Sequence, residues 1–431
     1  MDKKQRDLIT ALLKSEVLPA TGCTEPAAVA LCVAKTCETL GAEPQKISLR
    51  LSKNVYKNAM GVGIPGSGMI GLPIAVAMAA THGRSERGLE VLTLEPNEIA
   101  DARRWLQVNE RNINISALDT ADKLYVECTC TGTDGEAVCV IAHSHTHFTF
   151  ISHNGKVLLD EPQTPFQPDE DDECPESGLH ADELTADMVY EYATSAPIDE
   201  LAFMRPAVAY NDAASEEGLT GRGLHTGQML MKRSGGDAVC TVIARTVAAS
   251  DARMDGCTKP VYSNSGSGNQ GILCSLPPYY YGKMKGVDDD TVLRAVTMSN
   301  LMSIYIKRGI GRLSAMCGMV NAAMGVAAAV VYLDGGNPKQ SSDAMKNMIN
   351  TVTGMLCDGA KPSCALKMSV TLYAAFLCSQ LALENHVVEI TDGLSDKDID
   401  LSIHNLGRIG KDGMLQTDDM ILDIMTHKHN Y

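Results

Sequence analysis

The sequence predicts an α+β protein: an N-terminal α/β domain with a mixed sheet over residues 1–165, then an all-helical, cluster-binding domain over residues 179–431. Three observations carry this. Alternating apolar runs concentrate before residue 160, whereas apolar residues at helical spacing dominate after residue 179. Between them "DEPQTPFQPDEDDECPESG" (160–178) holds four prolines and an acidic run, which suits a linker or long surface loop. The length, 431 residues, favours two domains of roughly 150–250 residues each.

Taken in order, helical periodicity covers residues 3–15 and, after "TGCTEP", residues 25–40. "KISLRLSKNV" alternates as a strand. The glycine-rich "GVGIPGSGMIGL" leads into an apolar helix over 73–81. "LEVLTL" reads as a strand, and "EPNEIADARRWLQV" as a helix with proline in its first turn. The strands "NINISAL", "KLYVECTCTG", "AVCVIAHSHTHFTFIS" and "KVLL" follow, with turns at "TGTDGE" and "HNGK". Beyond the linker come helices at "ADELTADMVYEYATSA", "GDAVCTVIARTVAASDARM", "DDTVLRAVTMSNLMSIYIKR", "LSAMCGMVNAAMGVAAAVVYL", "SDAMKNMINTVTGMLCDG" and "SCALKMSVTLYAAFLCSQLALE".

Hydrophobic residues at 45% and charged residues at 21% describe a soluble globular chain. Aromatics make up 4% while methionine numbers 22, so the core is built from small, soft side chains that suit close-packed helices. A net charge of -16 opposes nucleic acid and anionic lipid. The N-terminus lacks a signal peptide's apolar core, which points to the cytoplasm. The charge-free window 315–333 reads as a buried central helix rather than a membrane span. Fourteen cysteines without a secretory signal are expected as reduced thiols, many of them buried small hydrophobes.

Several motifs carry chemistry. "GVGIPG" (Gly61, Gly63, Gly66) and "GSGNQG" (Gly266, Gly268, Gly271) match GxGxxG without a βαβ context, so a dinucleotide site is not expected. Both are loops able to bring bare backbone N–H groups to an anion such as a carboxylate, or plain packing turns. "HSHTH" puts His143, His145 and His147 on one face if it lies on a strand, a spacing wide for one metal ion. Cys23 precedes a helix opened by Glu25-Pro26. The positive end of the helix dipole there lowers a thiol's pKa and prepares a base or nucleophile, the alternative being a structural thiol. "TGMLCDGAKPSCALK" (353–367) places Cys357 and Cys364 at two helix ends meeting at one corner, with Cys317 in "RLSAMCGMV" as a third thiol on another helix. Three thiolates suit an iron–sulfur cluster with one iron lacking a protein ligand, or zinc with an open position.

Together "TGCTEPAAVAL", "SKNVYKNAMGVGIPGSG", "SHTH", "NSGSGNQG" and "CDGAKPSCALK" resemble the motifs of the iron–sulfur L-cysteine desulfidases, relatives of the α-chain of iron–sulfur L-serine dehydratases. The resemblance runs from about residue 12 to residue 413 in the same order. It implies a [4Fe-4S] cluster on Cys317, Cys357 and Cys364 with one iron open to substrate, Cys23 as base, and no pyridoxal phosphate. It further implies substrate contacts from Asn54, Lys57, His145, Asn264, Ser265, Gly266, Asn269 and Lys361; a solvated loop lysine is the plainer reading of Lys361. The implied reaction converts L-cysteine to hydrogen sulfide, ammonia and pyruvate; the alternatives are L-serine dehydration and a non-catalytic cluster-based sensor or cysteine-binding protein. The implied partners are a small amino-acid substrate and a second copy in a homodimer, with no nucleic acid and no membrane.

Overall fold

The computed structural model describes residues 1–120, 122–161, 179, 183–311 and 314–427. Most of the acidic linker lies outside these. The N-terminal part contains α1 (Lys3–Glu16), β1 (Pro19–Ala20), α2 (Thr24–Leu40), β2 (Lys46–Ser52), α3 (Lys53–Ala59), α4 (Leu72–His82), α5 (Pro96–Asn109) and the strands β3 (Ile113–Leu118), β4 (Tyr125–Gly132), β5 (Gly135–Ala142), β6 (Phe148–His153) and β7 (Lys156–Asp160). The sheet order is β3-β2-β4-β5-β6-β7. β2 runs parallel to β3 and antiparallel to β4, and the remaining pairs are antiparallel. The sheet is therefore mixed, as the alternating runs require. One face packs against α2, α4 packs on α2, and α5 packs on α4.

The helical part comprises α6 (Ala186–Ser195), α7 (Ile198–Leu201), α8 (Arg205–Leu219), α9 (Thr226–Arg233), α10 (Ala238–Met254), α11 (Gly268–Lys285), α12 (Asp289–Ile310), α13 (Gly318–Leu333), α14 (Pro338–Val352), α15 (Cys364–Leu383), α16 (Ile399–Arg408) and α17 (Leu415–Thr426), with a short β8 (Val261–Tyr262) before α11. At the centre α13 is buried almost all round, among α11, α12, α14 and α15. Its Ala, Gly, Val and Met side chains allow this: Gly325 lies where a Cβ would come within 2.3 Å of the Ser299 carbonyl oxygen. The charge-free window is thus a core helix.

The structure corrects three local expectations. "LEVLTL" is not a strand: Gly88, at φ 55°, interrupts a short 3-10 segment (Ser85–Glu90), and Val91 and Leu92 enter the core without a ladder partner. The long strand expected through "HSHTH" is two strands. His143, at φ 68°, turns the chain, and Ala142 N–H donates to the His147 carbonyl at 3.1 Å, so the three histidines do not share a strand face. Residues 315–317 are extended rather than helical: Met316 bridges Leu356, and Cys317 sits at the N-cap of α13.

Among the crossings between the parts, two are built from backbone. β1 pairs antiparallel with β8, Pro19 facing Tyr262 and Ala20 facing Val261. The glycine-rich loop after α3 locks onto the end of α10: Gly63 N–H donates to the Met254 carbonyl at 3.1 Å and Gly66 N–H to the Gly256 carbonyl at 3.0 Å. These N–H groups serve packing, not an anion. A Cβ on Gly63 would stand 2.6 Å from the Gly256 nitrogen and 2.7 Å from the Met254 oxygen. Since only backbone surrounds it, nothing can rotate away. Gly63→Ala is expected to destabilise the protein by about 2 kcal/mol through overpacking, read as a lower midpoint in denaturant titration; an unchanged midpoint would refute this crossing.

Candidate active site

The β1–β8 ribbon sets residues 21–24 beside the loop opening α11. Ser263 N–H donates to the Leu18 carbonyl at 2.7 Å, Ser265 N–H to the Glu16 carbonyl at 3.1 Å, and Thr24 Oγ1 to the Gly266 carbonyl at 3.4 Å. Cys23 is the N-cap of α2, 5% exposed, and its thiol makes no capping bond. Arg253, near the end of α10, reaches it from the helical part. Its Nη2 donates to the Gly22 carbonyl at 3.0 Å, and the guanidinium's charge favours the ionised form of the Cys23 sulfur. Gly268 makes room, since a Cβ there would lie 2.4 Å from Arg253 Nε. Burial nonetheless pushes the Cys23 thiol from its ordinary 9.0 up to about 11, against the pull of Arg253. The helix N-terminus does not make this sulfur a resting thiolate; desolvation outweighs the dipole.

Cys317 and Cys357 are joined by backbone. Cys317 N–H donates to the Met355 carbonyl at 2.9 Å, and Cys357 N–H to the Ala315 carbonyl at 2.7 Å. α14 ends at Val352, so Cys357 stands in an extended segment rather than closing a helix. Cys364 opens α15, as expected, and its sulfur accepts from Lys361 N–H at 3.4 Å. Cys317 and Cys364 are buried and Cys357 is half-buried. All three are free thiols within electrostatic reach of one another. Burial, followed by Cys357, pushes the Cys317 thiol up to about 12. Among the described residues no three His, Cys, Asp or Glu side chains are drawn tightly enough together to hold a single metal ion.

Cys23 belongs to the same corner, because Cys364 lies near enough to act on its ionisation. Lys361 lies among these thiols: burial lowers its pKa, while Asp358, Cys364, Cys357 and Cys23 oppose that shift. Its Nζ donates to the Lys57 carbonyl at 3.2 Å, and a side chain at Gly61 would strike its stem. Lys361 is therefore not a solvated loop lysine. Lys367 supports the turn from outside, donating to the Leu356 carbonyl at 2.8 Å and pairing with Asp358.

The remaining sequence-derived residues divide. Lys57 is 2% exposed and pairs with Asp418 of α17, so its ammonium fastens the C-terminal helix while its carbonyl meets Lys361. Asn54 lies half-buried on α3. The Asn264 amide donates to the Asn300 carbonyl and Oδ1, both at 3.0 Å, and its own Oδ1 accepts from Ser265. Asn269 is held by Ser250 and Met254. These groups frame the loop around Gly266. His145 lies half-buried on the β5–β6 turn.

Sequence reasoning missed three residues beside this corner. Arg253 Nε, Asn58 Oδ1 and Gln270 Nε2 are buried without a hydrogen-bond partner. Asn58 Nδ2 donates to Glu25 at 2.9 Å, next to Cys23, and a Cβ on Gly318 would meet Gln270 Oε1 at 2.1 Å, next to Cys317. Orphaned buried polar atoms carry a desolvation cost that a bound polar molecule can relieve. Asn58 and Gln270 fall inside quoted motifs, but no signal in "ASDARMDG" marks Arg253. A separate thiol seam, in which Cys37 and Cys128 each lie 3.8 Å from Cys130, packs α2 onto β4; these thiols act as small core residues.

A family model described as "Serine dehydratase alpha chain" matches residues 86–423. The match includes Cys317, Cys357 and Cys364 and begins after Cys23. Along nearly its full length the chain is also similar to UPF0597 proteins. That of Bacteroides fragilis is 46% identical over 435 residues, covering 99% of this chain and 100% of the relative. That of Porphyromonas gingivalis is 41% identical, covering 99% and 100%. That of Oleidesulfovibrio alaskensis is 40% identical, covering 97% of each.

Two outcomes are expected. Asp418→Ala leaves the Lys57 ammonium buried and unpaired, at a cost of about 3–5 kcal/mol; denaturant titration, with faster hydrogen exchange over residues 415–426, checks this. In the metal-free chain, Cys23 should alkylate slowly at neutral pH, and its rate should climb from pH 9 towards the thiol's value of about 11. The same raised value stabilises the fold below pH 9 and is lost as pH rises towards 11, because the unfolded chain releases that proton first. Peptide mass spectrometry across a pH series reads the alkylation, and rapid labelling at pH 7 would contradict it.

Proposed function

Because the chain belongs to the serine dehydratase alpha-chain family, we propose that it is a lyase that removes the β-substituent of a small L-amino acid, with L-cysteine as substrate. The observation that carries this is the convergence of Cys23 with Cys317, Cys357 and Cys364 around Lys361. The donor set is three free thiols on separate segments that share one corner, the side chains that hold an iron–sulfur cluster. Cys317, Cys357 and Cys364 would hold a [4Fe-4S] cluster, which would supply Lewis acidity toward the departing sulfur or hydroxyl.

The chain's own residues do the rest. Arg253, buried and with Nε free to donate, is the carboxylate partner beside Cys23. Asn58 Oδ1, an orphaned acceptor, suits the substrate ammonium. Lys361 keeps a cation among the thiols. Cys23 thiolate takes the Cα proton onto sulfur, the Cα–H electron pair forms the Cα=Cβ bond, and the Cβ–S bond breaks with sulfur leaving as hydrosulfide, HS⁻, which takes a proton from water to become hydrogen sulfide. The resulting 2-aminoacrylate tautomerises to the imine, and water releases ammonia and pyruvate. A protonated resting Cys23 must first lose its proton; Arg253 and the start of α2 are the groups that favour the thiolate.

L-serine is the second reading, favoured by the description of the matching family. Cysteine rests on the motif resemblance and on the better departure of sulfur. Protein purified anaerobically is expected to contain iron and labile sulfide and to release sulfide and pyruvate from L-cysteine. Each of Cys317→Ser, Cys357→Ser and Cys364→Ser should lose iron, whereas Cys23→Ala should keep it and lose about 10²–10⁴-fold in kcat. Iron-free protein under those conditions would end the cluster reading, and a higher kcat/KM for serine would move the assignment to dehydration.

A further inference from the structure

Glu25 stands half-buried in the first turn of α2, just after Cys23. Its Oε1 accepts from Asn58 Nδ2 at 2.9 Å, and its Oε2 accepts from Thr24 Oγ1 at 3.2 Å. Both donors are neutral, and among the described residues no lysine or arginine pairs with it. Asp358, the other carboxylate of this corner, is taken by Lys367. Glu25 is therefore a partly desolvated anion without a counter-ion, which costs free energy until a cation arrives. An acidic first-turn residue also suits the helix dipole, but that role requires no amide partner on α3.

Asn58 adds direction. An ionised carboxylate only accepts hydrogen bonds, so it fixes which end of an amide faces it. With Nδ2 held by Glu25, Asn58 Oδ1 turns the other way, and it is buried without a donor. On this side the corner offers negative charge and a free acceptor. Arg253 offers it positive charge and an unpartnered Nε. Glu25 and Arg253 both act on the Cys23 sulfur, in opposite senses, so both charges border the base.

A 2-ammonio carboxylate carries the two charges that match this pair. Its carboxylate meets Arg253, its ammonium meets Glu25 and Asn58 Oδ1, and its Cα is left beside the sulfur. We propose that Glu25 is the specificity-determining counter-ion for the substrate ammonium, and that it positions Asn58 for the same task. The site then selects a 2-amino acid over the 2-hydroxy or 2-oxo acid with the same side chain, because neither of those brings a cation to Glu25. This rests on the Cys23 corner being the substrate site, and it assigns to that site a group that chooses the substrate class.

Binding is read with anaerobically purified Cys23→Ala protein, in which L-cysteine keeps its Cα proton. Calorimetric titration compares L-cysteine with 3-mercaptolactate, which carries hydroxyl in place of the ammonium. L-cysteine is expected to bind more tightly by about tenfold or more. Adding Glu25→Gln should weaken L-cysteine by about 10–100-fold and leave 3-mercaptolactate unchanged, which also reports that the corner is intact. With Cys23 present, Glu25→Gln should raise KM for L-cysteine far more than it lowers kcat, and Glu25→Asp should restore part of the affinity. A preference for L-cysteine that survives Glu25→Gln overturns the proposal. So does an equal loss of both ligands, which would make Glu25 a purely structural residue, and so does failure of L-cysteine to bind. If Glu25 confers the preference but the wild type releases no sulfide, the lyase reading fails and the ammonium site stands.

Discussion

One buried guanidinium ties the two parts of this protein together. Arg253 lies at the end of a helix of the C-terminal part yet donates to the Gly22 carbonyl of the N-terminal part and sets its charge beside Cys23. Its seat exists because Gly268 has no Cβ and because β1 and β8 pair alongside. Without that cation, Cys23 would be a desolvated thiol at a helix start with nothing to favour its ionisation beyond the helix dipole. With it, sulfur and positive charge share one buried corner. The placement of the thiol turn below, through Lys361 and the Lys57 carbonyl, completes the enclosure.

The scarcity of aromatic residues has a structural counterpart at each crossing. Where the glycine-rich loop meets the end of α10, and where α13 runs beside α12, backbones approach more closely than a side chain permits. Such contacts gain dispersion energy from many small atoms rather than a few large rings. They leave little free volume, so the frame of the corner is stiff. That stiffness suits a site whose buried polar atoms must wait for a ligand without collapsing onto one another.

Burial sets the electrostatics of the corner more than any single neighbour does. It raises Cys23, Cys317 and Cys364 and lowers Lys361; Arg253 works against it at Cys23 and Asp358 at Lys361, while Cys357 works with it at Cys317 and Cys364. Taking an ion out of water is costly, so burial at Cys23, Cys317, Cys364 and Lys361 disfavours the charged form of each.

Much of the fold was legible in the chain. Period-two runs marked β2 to β7, helical periodicity marked α2, α10 and α12, and Pro-Ser before Cys364 marked the start of α15, because side-chain periodicity and first-turn chemistry are local. The four chemically suggestive cysteines were likewise visible as residue types near helix starts and turns. "LEVLTL" and "HSHTH" misled because a single positive-φ residue, Gly88 or His143, overrides an alternating pattern. What only the tertiary structure decided was company. It gave Lys57 to Asp418 instead of the corner, brought in Arg253 from a stretch with no motif, and reversed the expected direction of the Cys23 pKa. Those outcomes depend on burial and on which distant segments meet, and solvent exclusion by residues hundreds of positions away leaves no periodic trace in sequence.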